Sequence, residues 1–130
     1  MDVTLISPAD IDEVWDFVEP LVSNPKVTNN WVSVESIYND LKAHKADLWV
    51  NMNLTGVCIG STYFRLDSSK TYIVHYMAST ESEDWAEVIQ PIEQQARDWG
   101  CTAIQVKGRV GWKKALPEYK LEQITLERTL

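Results

Sequence analysis

Few side chains in this sequence are of a type and spacing that can carry chemistry. His75 is the one residue with a near-neutral unperturbed pKa inside a strand-like run, Thr71-Tyr-Ile-Val-His-Tyr-Met77. As a catalytic base it needs a substrate amine within hydrogen-bond reach. As a packing residue it shares a mostly apolar face with Thr71, Ile73 and Met77, and that is the plainer reading. Glu81, Glu83 and Asp84 crowd a helix start. A metal would want ligands converging from a second segment, and none is evident, so capping is the better account of these carboxylates. Cys58 and Cys101 lack metal-ligand spacing, and neither lies beside His44, His75 or a positively charged helix start. No Ser-His-Asp or Cys-His arrangement stands out.

Positive charge gathers in one place, at Lys107, Arg109, Lys113, Lys114 and Lys120. Within it Arg109, Trp112 and Lys113, flanked by Gly108 and Gly111, form a candidate partner-binding turn, because Arg and Trp are enriched among interface hot spots. The alternative is that Trp112 plugs the core under a final helix while Arg109 pairs with an acidic neighbour.

Hydrophobic periodicity supplies the elements that would hold these groups. Asp2–Ile6 alternates as a short strand. Ser7 and Pro8 open a helix striped by Ile11, Val14, Trp15, Val18 and Val22, with Pro20 and Pro25 ending or bending it. A loop over Asn24–Asn30 leads to a helix capped by Ser33, with Val34, Ile37, Tyr38 and Leu41 in register. Leu48–Leu54 and Val57–Phe64 read as a hairpin, and Lys70–Ala78 returns as a third antiparallel strand. A helix capped by Thr80 or Ser82 then carries Trp85, Val88, Ile89, Ile92, Ala96 and Trp99 on one face, with a kink at Pro91. Gly100 ends it. Thr102–Val106 follows as a strand that the crossover should set parallel to Lys70–Ala78. A short turn or helix stops at Pro117, and Ile124, Leu126, Arg128 and Leu130 alternate in a closing strand.

With 130 residues, 45% of them hydrophobic, the expectation is a single domain over 1–130 of mixed α/β class. The net charge of -7 argues against non-specific binding to nucleic acid or to an anionic membrane. No apolar run is long enough to span a bilayer, and no signal peptide is evident. A soluble cytoplasmic protein with reduced thiols fits.

The order β-α-α-β-β-β-α-β-α-β, with Ile92-Glu-Gln-Gln-Ala-Arg-Asp-Trp-Gly-Cys-Thr-Ala-Ile-Gln-Val106 as its most specific stretch, resembles the GNAT superfamily of N-acetyltransferase folds. Gly108-Arg-Val-Gly-Trp-Lys-Lys-Ala-Leu-Pro-Glu-Tyr119 is similar to a segment of small GNAT-like proteins of bacteriophages and prophages. The resemblance implies strands that part after the fourth, an exposed backbone that pairs with pantetheine, and a pyrophosphate at the start of the next helix. Met77, Ala78, Ser79 and Ser82 are the corresponding cofactor-binding candidates, and His75 the catalytic one. Two departures stand out. Ala78-Ser-Thr-Glu-Ser-Glu-Asp-Trp85 has neither the family's glycines nor its basic residue. The position of the family's general-acid tyrosine falls on Leu116, with Tyr119 out of register. The expectation is therefore a protein without standard acyl-CoA chemistry, no cofactor and no metal. It would bind a protein partner (other phage proteins or itself) as a virion, assembly or host-inhibiting component in a bacterial host cytoplasm. The alternative is a divergent acyltransferase using acetyl-CoA.

Overall fold

The computed structural model describes residues 3–28, 31–51, 53–81, 84–108, 112–123 and 125–130. One sheet organises it, with strands in the order β1 (Val3–Ile6), β2 (Asp47–Asn51), β3 (Gly56–Phe64), β4 (Lys70–Ser79) and β5 (Cys101–Val106). The first four are antiparallel neighbours, and β5 lies parallel to β4 as the crossover requires.

Helices cover both faces. On one face lie α1 (Ile11–Val22), α2 (Pro25–Thr28) and α3 (Val34–Lys42). Ile11, Val18 and Val22 of α1 and Ile37 and Leu41 of α3 bury themselves against Leu48, Val50, Val57, Ile59 and Ala78. Each such aliphatic side chain contributes roughly 1.5–3 kcal/mol. Ser33 caps α3 by accepting from the Ser36 N–H at 3.0 Å. Asp12 ties α1 to α3 by accepting from Tyr38 Oη and from Lys42 Nζ. A 3₁₀ turn at Pro8–Asp10 precedes α1, and Pro20 sits within that helix.

The opposite face carries α4 (Trp85–Val88) and α5 (Gln90–Asp98), with α6 (Trp112–Ala115) beyond β5. Ile89, Ile92, Ala96 and Leu116 pack there on Trp49, Cys58, Tyr72, Val74 and Met77. Tyr72 is the largest fully buried side chain. Its hydroxyl accepts from Trp49 Nε1 at 3.0 Å and donates to Asp47 Oδ2 at 2.8 Å. Gly60 leaves the room: a Cβ there would lie 2.6 Å from the Tyr72 ring. At the far end of α5, Lys70 Nζ donates to the Trp99 carbonyl at 2.8 Å and Gly100 adopts a φ of 85°. Both are helix-stopping devices.

Four sequence expectations need correction. The loop after α1 holds a short helix, α2, because Asn24 accepts from the amides of Lys26 and Val27 and starts a turn. The helix expected to kink at Pro91 is instead broken at Ile89; Pro91 then falls in the first turn of α5, where its missing N–H costs nothing. Asp84, not Thr80, caps α4, and Ser82 and Glu83 lie outside the described residues. Finally, no strand forms after Val106 among the described residues. Leu126 and Leu130 are fully exposed, so the alternating tail has no face to cover and β5 remains a sheet edge.

Replacing Tyr72 by Phe keeps the ring but leaves the Trp49 N–H and the Asp47 carboxylate without their buried partner. We expect a loss of about 1–3 kcal/mol in urea denaturation. An unchanged midpoint would mean that water replaces the hydroxyl without cost.

Candidate functional site

The site begins where β5 leaves β4. Pairing between them runs from Lys70↔Cys101 to Val74↔Val106, and the Lys107 N–H donates to the Val74 carbonyl at 2.9 Å as the last rung. β3, in contrast, follows β4 to Ser79. From His75 to Ala78, therefore, β4 is held by a strand on one edge only among the described residues. Backbone left unpaired in this way calls for a hydrogen-bonding partner, which an extended ligand can supply.

A register shift sits at the same place. Ile59 opposes Tyr76 while Gly60 opposes Val74, so His75 is the extra residue of a β-bulge. The bulge changes which side chains share its face. Met77 turns to the α5 side beside Cys58, contrary to the alternation read from the sequence, and Tyr76 and Ala78 face α1 and α3. The half-buried His75 meets Ser61 of β3 instead, with Oγ and Nε2 2.8 Å apart. Burial and the nearby Lys107 ammonium both hold the imidazole below its ordinary pKa, so it is neutral near pH 7. Ser61 is the hydrogen-bond partner that sequence reasoning missed: it pairs with Ile73 in the ladder, and only knowledge of the bulge would bring it to His75.

The remaining candidates divide. Met77 and Ala78 lie buried on the unpaired stretch of β4. Ser79 closes a local turn, its Oγ accepting from the Glu81 N–H at 3.0 Å and donating to the Glu81 carbonyl at 2.6 Å. Ser82 and Arg109 lie outside the described residues. Trp112 is half-buried and packs edge-on against Trp85, with centroids 5.5 Å apart, its indole lying over Gly108. Lys113 is exposed and donates to the Pro117 carbonyl. Leu116 is buried, and Tyr119 donates to Glu93 Oε2 at 2.8 Å. Burial and that carboxylate raise the Tyr119 pKa and commit its proton to α5.

No family model and no curated relative matches the chain. Solved structures do. A probable acetyltransferase superposes with a TM-score of 0.73 at 16% identity, over 100% of this chain and 97% of its own. The ribosomal-protein-alanine N-acetyltransferase of Brucella melitensis biovar Abortus 2308 gives 0.66 at 12% identity, covering 99% and 98%. The aminoglycoside 6'-N-acetyltransferase of Acinetobacter haemolyticus gives 0.63 at 13%, covering 100% and 99%. This chain has the GNAT acetyltransferase fold. The expectation of a protein-binding or assembly component without acyl-CoA chemistry or cofactor is accordingly overturned: these end-to-end neighbours are all named as acetyltransferases.

His75 should titrate below 6.5 in an NMR pH series, and Lys107→Gln should move its midpoint upward by removing the like charge. A midpoint at or above 6.5 would contradict the described surroundings.

Proposed function

We propose that this chain is a divergent N-acyltransferase that moves an acyl group from acetyl-CoA or a related thioester to an amine. The single observation that carries the reading is the parting of β4 from β5 after Val74, with a neutral, half-buried His75 at the parting. The residues fit the pantetheine part of such a donor: β4 offers extended backbone from His75 to Ala78, where amides can pair as in strand addition.

When bound, the donor supplies an acyl carbon activated by its thioester bond. On this reading Ser61 Oγ is the acceptor of their 2.8 Å hydrogen bond, taking it from His75 Nε2–H, which is the tautomer with Nδ1 unprotonated. That nitrogen then takes the proton of the attacking amine as the amine nitrogen bonds the acyl carbon and the C–S bond breaks. The same proton passes to the departing thiolate, so that amide and thiol leave a neutral imidazole. A depressed pKa suits the task, because the ring stays unprotonated through the neutral range. The similarity of the Gly108–Tyr119 segment to phage and prophage proteins supports a setting in a bacterial host cytoplasm. Among the described residues, no helix is long and apolar enough to cross a membrane.

The test is thiol release from acetyl-CoA with a panel of primary amines. His75→Gln should lower kcat by about 100-fold or more, the usual scale for a positioned base. In the wild type, kcat/KM should fall as pH drops through the His75 pKa, since protonation there removes the base. Full activity in His75→Gln would remove His75 from the mechanism, and absence of turnover with every amine would remove the enzyme reading.

A further inference from the structure

We infer that the donor site recognises the pantetheine arm of its thioester and gives no grip to the nucleotide end, so that pantetheine thioesters serve nearly as well as acyl-CoA. The inference rests on the acyltransfer reading above and concerns which part of the donor is held.

Three observations converge. The unpaired stretch of β4 is neutral and extended, with Met77 and Ala78 each only 8% exposed. That suits a chain of amides and methylenes, which is what pantetheine is. Immediately beyond it, the described backbone donors of Thr80 and Glu81 are already engaged. The Thr80 N–H donates to the Thr55 carbonyl at 2.8 Å and the Glu81 N–H to Ser79 Oγ at 3.0 Å. At the start of α4, Glu87 and Val88 both donate to the Asp84 carbonyl, and Glu87 also to Asp84 Oδ1. An anion at a helix start needs free N–H groups and a positive end; a carboxylate already stands at this one.

Charge makes the same point. No lysine or arginine occurs between Lys70 and Arg97, while Glu81, Asp84 and Glu87 are exposed carboxylates on this segment. The packing of Trp112 on Trp85 brings α6 alongside with two exposed lysines. Lys113 is held to the Pro117 carbonyl, Lys114 keeps a free choice of partner in the sequence's one basic cluster, and Arg109 lies outside the described residues. Lys107 makes its charge felt at His75, by the acyl end of the cleft. A polyanionic nucleotide at the end of β4 would thus meet like charge, at about 1 kcal/mol per close pair even in water.

Calorimetry with coenzyme A and with pantetheine, paired with rates for acetyl-CoA and acetyl-pantetheine, tests this on the full chain. We expect the two dissociation constants to agree within about fivefold, and added salt to tighten coenzyme A by screening repulsion. Glu81→Gln with Asp84→Asn, which keeps a capping oxygen, should tighten coenzyme A about three- to fivefold and leave pantetheine unchanged. Coenzyme A binding about 100-fold tighter than pantetheine, or weakening as salt rises, overturns this inference while leaving acyl transfer standing. Binding of neither compound overturns both.

Discussion

β4 is paired with β3 to its end, whereas β5 accompanies it only as far as Val74. The rest of the molecule can be understood as what makes this half-paired strand tolerable. A central strand must satisfy its backbone on both edges or leave one accessible to water or ligand. Here the second edge opens at a bulge, and the bulge turns His75 toward Ser61 instead of into the α5 core. Strand parting on the β5 edge and the altered side-chain phase on the β3 edge meet at one residue, His75.

The paired half is correspondingly well anchored. Gly60 lets the Tyr72 ring lie across β3, and the Tyr72 hydroxyl joins Trp49 to Asp47. Trp99 packs on both Trp49 and Tyr72, and Lys70 fixes the end of α5 at the start of β4. Below the parting, the sheet is held by a buried aromatic cluster with satisfied polar groups, which resists shear. Above it, Trp85 against Trp112 connects α4 to α6 across the opening.

Much of this was readable in the chain. Ser33 as a cap, Gly100 as a stop, and the strand–helix–strand crossover that makes β5 parallel all follow from local chemistry, and all appear as expected. What failed depended on contacts distant in sequence. A bulge depends on how β3 and β4 slide against each other, so strict alternation put Met77 on the wrong side and hid Ser61. The choice of Asp84 as cap depends on where α4 begins, and Pro91 was placed in the middle of a helix that turns out to be two. The tail from Gln123 to Leu130 has a strand's period, but period alone cannot supply a neighbour to pair with. Ala78–Trp85 contains no glycines, and their absence alone does not decide the chemistry. That absence has no bearing on the parting of β4 from β5, which depends on pairing between segments distant in sequence.

Amide hydrogen exchange measured by NMR on the full chain, with and without acetyl-pantetheine, reports most directly on the unpaired edge. If that edge receives the donor arm, amides within His75–Ala78 should slow by about tenfold or more on saturation, while those of Lys70–Val74, already within the paired sheet, stay as they are. Equal exchange at His75–Ala78 in the presence and absence of the ligand would contradict the account.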